Sequence, residues 1–146
     1  VATAAQQFET FLSRYSPEVQ ASAKKALAKL RKLIPGAVEL VYDNYNALVV
    51  GFGPSERASE APISIALYPR WVNLFFLRGK NLSDPHKLLK GSGNIVRHIV
   101  LDDAALLDDS RVRALIAQAV AGIEMPSKRR MVIRAISAKR RARQPL

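Results

Sequence analysis

The sequence predicts an α+β domain: an antiparallel sheet of five to six strands with an N-terminal and a C-terminal helix on one face. Three observations predict it. Helical periodicity is confined to the two ends of the chain. The middle, over residues 39–101, is a series of short strand-type runs. Short turns join those runs, where a parallel sheet would need crossover helices. The 146 residues suit one domain rather than two. We read residues 1–126 as that domain and 127–146 as a basic C-terminal strand and tail.

Phe8, Phe11, Leu12 and Tyr15 recur at helical spacing, which makes residues 3–14 a short amphipathic helix. Ser16, Pro17 and Glu18 start a second helix, with an N-cap hydroxyl, a first-turn proline and a first-turn acid. Its apolar stripe runs from Val19 through Ala23, Ala26, Leu27 and Leu30 to Ile34. Lys24, Lys25, Lys29, Arg31 and Lys32 lie off that stripe, and Pro35-Gly36 stops the helix. Residues 39–43 and 47–52 form a hairpin around Asn44-Tyr45-Asn46. Residues 54–62 are polar and read as a loop. Ile63, Ile65 and Leu67 alternate with smaller or more polar neighbours in a half-buried strand. Residues 71–77 form the next strand after Pro69-Arg70. Val72, Leu74 and Phe76 take one face, and Trp71, Asn73, Phe75 and Leu77 take the other. Residues 78–94 are turn-rich, with one helical turn expected at 86–89. Residues 95–101 are a fifth strand. Asp108-Asp109-Ser110 caps a last helix ending near Gly122, and residues 131–136 are a sixth strand. Two longer helices cover one face of such a sheet, so the other face is expected to meet solvent, a second subunit or the tail strand.

Composition excludes several classes of function. There is no cysteine, so disulfides, thiolate metal sites and cysteine nucleophiles are ruled out. No run approaches the length of a membrane span. The opening VATAAQQFETF has neither the basic nor the apolar region of a signal peptide, so the expectation is a cytoplasmic protein. His86 and His98 stand twelve residues apart without ligand spacing, so neither a metal nor another cofactor is expected. No nucleophile elbow or phosphate-loop lysine motif occurs.

The net charge is +11, but it is unevenly spread. Residues 1–126 hold fifteen Lys/Arg and twelve acids, whereas residues 127–146 hold eight Lys/Arg and no acid. Such an end either pairs with the body's own acids or meets an anionic partner, nucleic acid or an acidic protein. Lys139, Arg140, Arg141 and Arg143 are the candidate anion-binding residues of the tail.

The remaining candidates cluster on the strands. Tyr42, Tyr45, Arg70 and Trp71 place aromatic and basic groups around the hairpin and the third and fourth strands. Lys90-Gly91-Ser92-Gly93-Asn94 is a glycine-rich turn beside Arg97 and His98. Its backbone N–H groups, with Lys90 and Arg97, are the sort of array that holds an anion. It equally suits a turn that needs positive φ. Aromatics interleaved with arginine suit single-stranded nucleic acid. The signature of an RNA-recognition sheet is missing, however, which ranks dimerisation or self-burial of that face above base stacking.

Four stretches taken together carry a family likeness: Glu39-Leu-Val-Tyr-Asp-Asn-Tyr-Asn46; Ile63-Ser-Ile-Ala-Leu-Tyr-Pro-Arg-Trp71; Leu89-Lys-Gly-Ser-Gly-Asn94 with Val96-Arg-His98; and Ile133-Arg-Ala-Ile-Ser-Ala-Lys139. The chain resembles the YdhG-like family of small bacterial domains of unknown function, from about Phe8 to the tail. The resemblance implies a compact α+β fold, frataxin-like in outline. One branch of that family looks like a bacterial frataxin, an iron chaperone. Iron delivery in that branch implies an acidic ridge on the first long helix, whereas residues 16–34 here hold one acid and five basic residues. No catalytic residue comes with the resemblance. The leading expectation is therefore a non-enzymatic binding or adaptor module. The alternatives are the iron chaperone and a small-molecule enzyme at the glycine turn near His98.

Overall fold

Local signals set the element boundaries in the structure, a computed structural model that describes residues 1–44 and 47–136. Thr3 caps helix α1 (Ala4–Leu12) through a reciprocal pair of bonds with Gln6. Ser16 Oγ accepts from the Val19 N–H and opens helix α2 (Pro17–Leu33). Gly36, at φ +80°, turns the chain out of α2. Strands β1 (Val38–Asp43) and β2 (Leu48–Gly53) form the hairpin, which the Asn44 N–H closes onto the Ala47 carbonyl at 2.9 Å. Then follow β3 (Ile63–Leu67), β4 (Val72–Phe76), β5 (Arg97–Leu101), helix α3 (Ser110–Val120) and β6 (Arg130–Ile136). The loop between β2 and β3 contains a 3-10 turn, Ala58–Glu60. The Asp84–Lys87 turn stands where one helical turn is expected at 86–89. Among the described residues no helix is long and apolar enough to cross a membrane.

The strands form one sheet in the order β5-β4-β3-β2-β1-β6. The expectation of a purely antiparallel sheet is corrected here. The β1–β5 strands are antiparallel neighbours, but β6 lies parallel to β1. The cause is counting. Five alternating strands leave β5 running in the same sense as β1. Helix α3 then returns the chain, so the next strand must run as β1 does. Sequence analysis allowed for turns but not for this one crossover. A second expectation is corrected with it: the tail strand extends the sheet in its plane and does not cover the open face.

All three helices pack on one face. Leu12, Leu27, Leu30, Val112, Leu115 and Ile116 meet Val50, Phe52, Ile65, Leu67, Leu74 and Phe76 in a single core. Two carboxylates share that face. Glu39 and Asp43 on β1 are each 1% exposed. Arg31 from the last turn of α2 donates to both Glu39 oxygens at 2.9 and 2.8 Å, and Arg129, just before β6, donates at 3.2 Å. Asp43 faces Arg14 at 3.7 Å.

At the other end of the core, Asp109 caps α3. The Arg111 side chain, and then its backbone N–H, hold this carboxyl down to about 2.

Two outcomes follow from these contacts. Glu39→Gln keeps the shape and removes the charge that holds Arg31 and Arg129. It should lower stability to urea by about 2 kcal/mol and speed amide exchange over residues 130–134. Because Asp109 titrates below its ordinary 3.8, its contribution to stability is complete above that value and is lost as the pH falls through about 2. A carboxyl NMR titration should show this midpoint, and Arg111→Gln should move it back towards 3.8.

Candidate functional site

The second sheet face carries no helix. Strand alternation and register put Tyr42, Val49, Ala66, Asn73 and Val100 in one row across it. Leu40, Gly51, Ser64, Phe75 and His98 form the next row. The small residues make room for the 54–62 loop to fold onto one end of this face. Gly53 is needed there, because a Cβ would sit 2.8 Å from Ala61 Cα. Self-burial, expected from sequence, is thus partial and comes from this loop. Next to it lies a recess of about 180 Å³, lined by Tyr42, Val49, Ser64, Phe75 and Leu77 among others.

Phe75 continues the band into basic territory. Its ring centroid is 5.5 Å from that of His98. His98 and Lys90 exchange backbone hydrogen bonds at 2.8 and 2.9 Å, so Lys90 adds one more rung to the sheet edge beyond β5. Phe75, His98 and Lys90 therefore run as one band across the β4–β5 end of the open face, while Tyr42 stands on β1 in the neighbouring row. Asn73 lies in the row beside it, 7% exposed, and its Oδ1 has no hydrogen-bond partner. Such an orphaned acceptor is costly when buried. At the β3–β4 turn Tyr68 and Trp71 stack with centroids 4.9 Å apart, and Trp71 remains 44% exposed next to exposed Arg70.

The glycine turn is different from the anion site that its composition invites. Arg97 and His98 are consecutive on a strand and leave on opposite faces. The Arg97 stem lies against Gly79, and its Nη1 donates to the Gly93 and Val96 carbonyls at 2.7 and 2.8 Å. Arg97 is thus the internal strut of the 91–96 turn. Ser92 is exposed on that turn. The Arg97 Cδ and the His98 Nδ1 each lie 3.6 Å from where a Gly91 Cβ would stand, while the Arg97 guanidinium is taken up by turn carbonyls.

Part of the basic end is spent on the body. Arg129 serves Glu39, while Arg130 and Arg134 reach Glu56 of the 54–62 loop at 3.0 and 3.7 Å. Arg134 is also the extra residue where the β1–β6 register shifts. Tyr45 and the tail residues Lys139, Arg140, Arg141 and Arg143 lie outside the described residues. The acids are engaged elsewhere too. Lys24 meets Glu9, Lys29 and Arg113 meet Asp108, and Asp84 accepts from the Leu88 and Leu89 N–H groups. The Lys29 ammonium holds the Asp108 carboxyl below the usual carboxylate range. Among the described residues no three acidic or histidine side chains come together as metal ligands would.

Sequence analysis missed three contributors. Glu39 reads as an ordinary strand residue. Asn73 carries no motif. Gly51 and Gly53 look like strand-weakening residues, although their alternation on one face was a signal that another segment approaches there.

These features define a class: an α+β domain with one helix-packed sheet face and one bare face bearing aromatic and basic groups. Compared with family models, curated proteins and solved structures, the chain has no match.

If Arg97 is the strut of its turn, Arg97→Ala should release the turn without disturbing the sheet. Amide exchange over residues 91–96 should then quicken by about tenfold, the loss of one to two charge-assisted hydrogen bonds, while β3 and β4 keep their protection.

Proposed function

We propose that the chain is a non-enzymatic binding or adaptor module. Its open sheet face takes a ligand or partner, and its basic C-terminal residues hold an anionic one, nucleic acid or an acidic protein. The observation that carries this reading is the band of Phe75, His98 and Lys90 beside a recess that Tyr42 and Phe75 both line, on a face without a helix. Aromatic surface with cationic neighbours recognises flat or apolar groups joined to negative charge. The orphaned Asn73 Oδ1 supports it, as does Trp71 beside Arg70, which stays 44% exposed although it stacks on Tyr68. Arg129, Arg130 and Arg134 are paired with Glu39 and Glu56, so the anion-binding role is proposed for Lys139, Arg140, Arg141 and Arg143.

The likeness to the YdhG-like family and its frataxin-like outline belongs to the same reading. It is supported by the order of elements, with helices before the sheet and a helix after β5. A cytoplasmic setting, where nucleic acid and acidic proteins abound, fits the absence of cysteine.

The test is binding of a labelled single-stranded oligonucleotide and of a polyglutamate peptide across a salt series. The full chain is compared with a chain cut after Ile136, which keeps β6; a cut before β6 would remove the sheet's edge. Loss of Lys139, Arg140, Arg141 and Arg143 should lower the slope of log affinity against log salt by about 3, at roughly 0.7 per cation for a single strand. Phe75→Ala should weaken oligonucleotide binding by a further factor of about ten, the worth of one stacked base. An unchanged slope after the cut sinks the tail's role, and an unchanged affinity in Phe75→Ala sinks that of the sheet face. Preference for polyglutamate makes the partner an acidic protein.

A further inference from the structure

A second concavity adjoins the open-face recess through Leu77, where the 54–62 loop, the end of β4 and the C-terminal half of α3 meet. Its volume is about 420 Å³, against about 180 Å³ for the open-face recess. Its walls are apolar, built from Pro62, Leu77, Leu82, Ala119 and Ile123. The size falls within the range of small-molecule sites.

The polar groups at its edge differ in what they have left to offer. Gln118 is consumed: its Nε2 donates to the Ser83 carbonyl and its Oε1 accepts from the Ser83 N–H, both at 2.9 Å. Glu60 is consumed as well, accepting from the Ser55 hydroxyl at 2.5 Å and facing Arg57 at 3.8 Å. The guanidinium of Arg78 has no hydrogen bond or ion pair among the described residues, and neither does the side-chain amide of Asn81 beside it. Arg78 and Asn81 are both exposed, so the apolar cleft opens to solvent beside one uncommitted cation and an amide.

We infer that this cleft binds a small organic monoanion, a carboxylate carried on an aromatic or branched aliphatic body. The guanidinium fork matches a carboxylate with two parallel hydrogen bonds. One free cation matches one negative charge, and the Glu60 carboxylate on the same cleft disfavours a dianion. The apolar walls take the body of the ligand, and burying it supplies the affinity that an exposed ion pair alone lacks. The cleft and the open-face recess share Leu77 but present different polar groups, so success or failure here does not depend on the function proposed above.

The experiment is an amide NMR titration of the full labelled chain with phenylacetate and with its neutral counterpart phenylacetamide. Shifts should be confined to residues near 60–62, 77–82 and 118–123. Phenylacetate should bind about tenfold more tightly than phenylacetamide, the worth of one charge-assisted contact. Arg78→Gln should erase that difference and leave phenylacetamide binding unchanged. Ala119→Phe places a ring in the cleft and should abolish both; Ile123→Phe does the same if the first variant loses its dispersed spectrum. Equal affinity for the two compounds in the unmodified chain overturns the inference. So does a difference that survives Arg78→Gln, a shift pattern centred on Phe75 and His98, or no shifts with millimolar phenylacetate.

Discussion

The buried carboxylate of Glu39 is the constraint around which this molecule is arranged. It stands on the helix-facing side of β1, between Phe52 of β2 and Met131 of β6. An isolated carboxylate at that depth would be untenable. Arg31 meets it with a two-point fork, and Arg129 supplies a third hydrogen bond. Three elements distant in sequence are thereby held at one point: the end of α2, the start of β1 and the approach to β6. The arginines keep part of their surface in water, which lowers the desolvation cost that burdens fully enclosed ion pairs. Arg31 gains further from its place in the last turn of α2, where the helix end favours positive charge. A parallel edge strand needs such an anchor. Met131 and Ile133 are only partly buried, so apolar packing alone holds β6 weakly.

The bare face follows from the same arrangement. Three helices and β6 are all committed to one side or to the edge, leaving the opposite side to whatever the loops can cover. The 54–62 loop covers one end because Gly51 and Gly53 lower the sheet surface beneath Ala61. Glu56 then ties that loop to Arg130 and Arg134. The loop and the edge strand thus hold one another by surface charges, which salt screens. Beyond the loop the face rises again to Phe75, His98 and Tyr42, too apolar to be idle surface and too open to be core.

Most of the fold was legible because its signals are local. The caps at Ser16 and Asp109, the hairpin at residues 44–47 and the face alternation of Val72–Phe76 all read directly from residue type and spacing. The direction of β6 was not, since it depends on how α3 returns the chain, and no residue in β6 encodes parallel pairing. The site was less legible still. Tyr42 and His98 were found because their types are conspicuous, and the register then put them on one face. Arg97 was misleading for the opposite reason. A guanidinium next to glycines looks the same in sequence whether it awaits an anion or braces the turn by holding carbonyls. Arg78 carries no such signature. Its distinction is its place, an unpaired guanidinium on the rim of an apolar cleft, which only the fold brings about.

Charge, likewise, has to be followed pair by pair before it speaks of function. The excess of basic residues at the C-terminal end looks uniform in sequence, yet it divides at β6. Arg129, Arg130 and Arg134 meet acids of the body, one of them the most consequential carboxylate in the fold. Glu39 on β1 and Glu56 in the 54–62 loop are thus placed where arginines of the returning chain arrive. Removing or reversing the whole basic end at once would therefore confound two effects, loss of a partner and loss of a sheet strand. Among the described residues of this end, Arg129, Arg130 and Arg134 are tied to the body and Lys128 is not. The integrity of the sheet edge therefore rests on three arginines of the basic run and not on its charge as a whole.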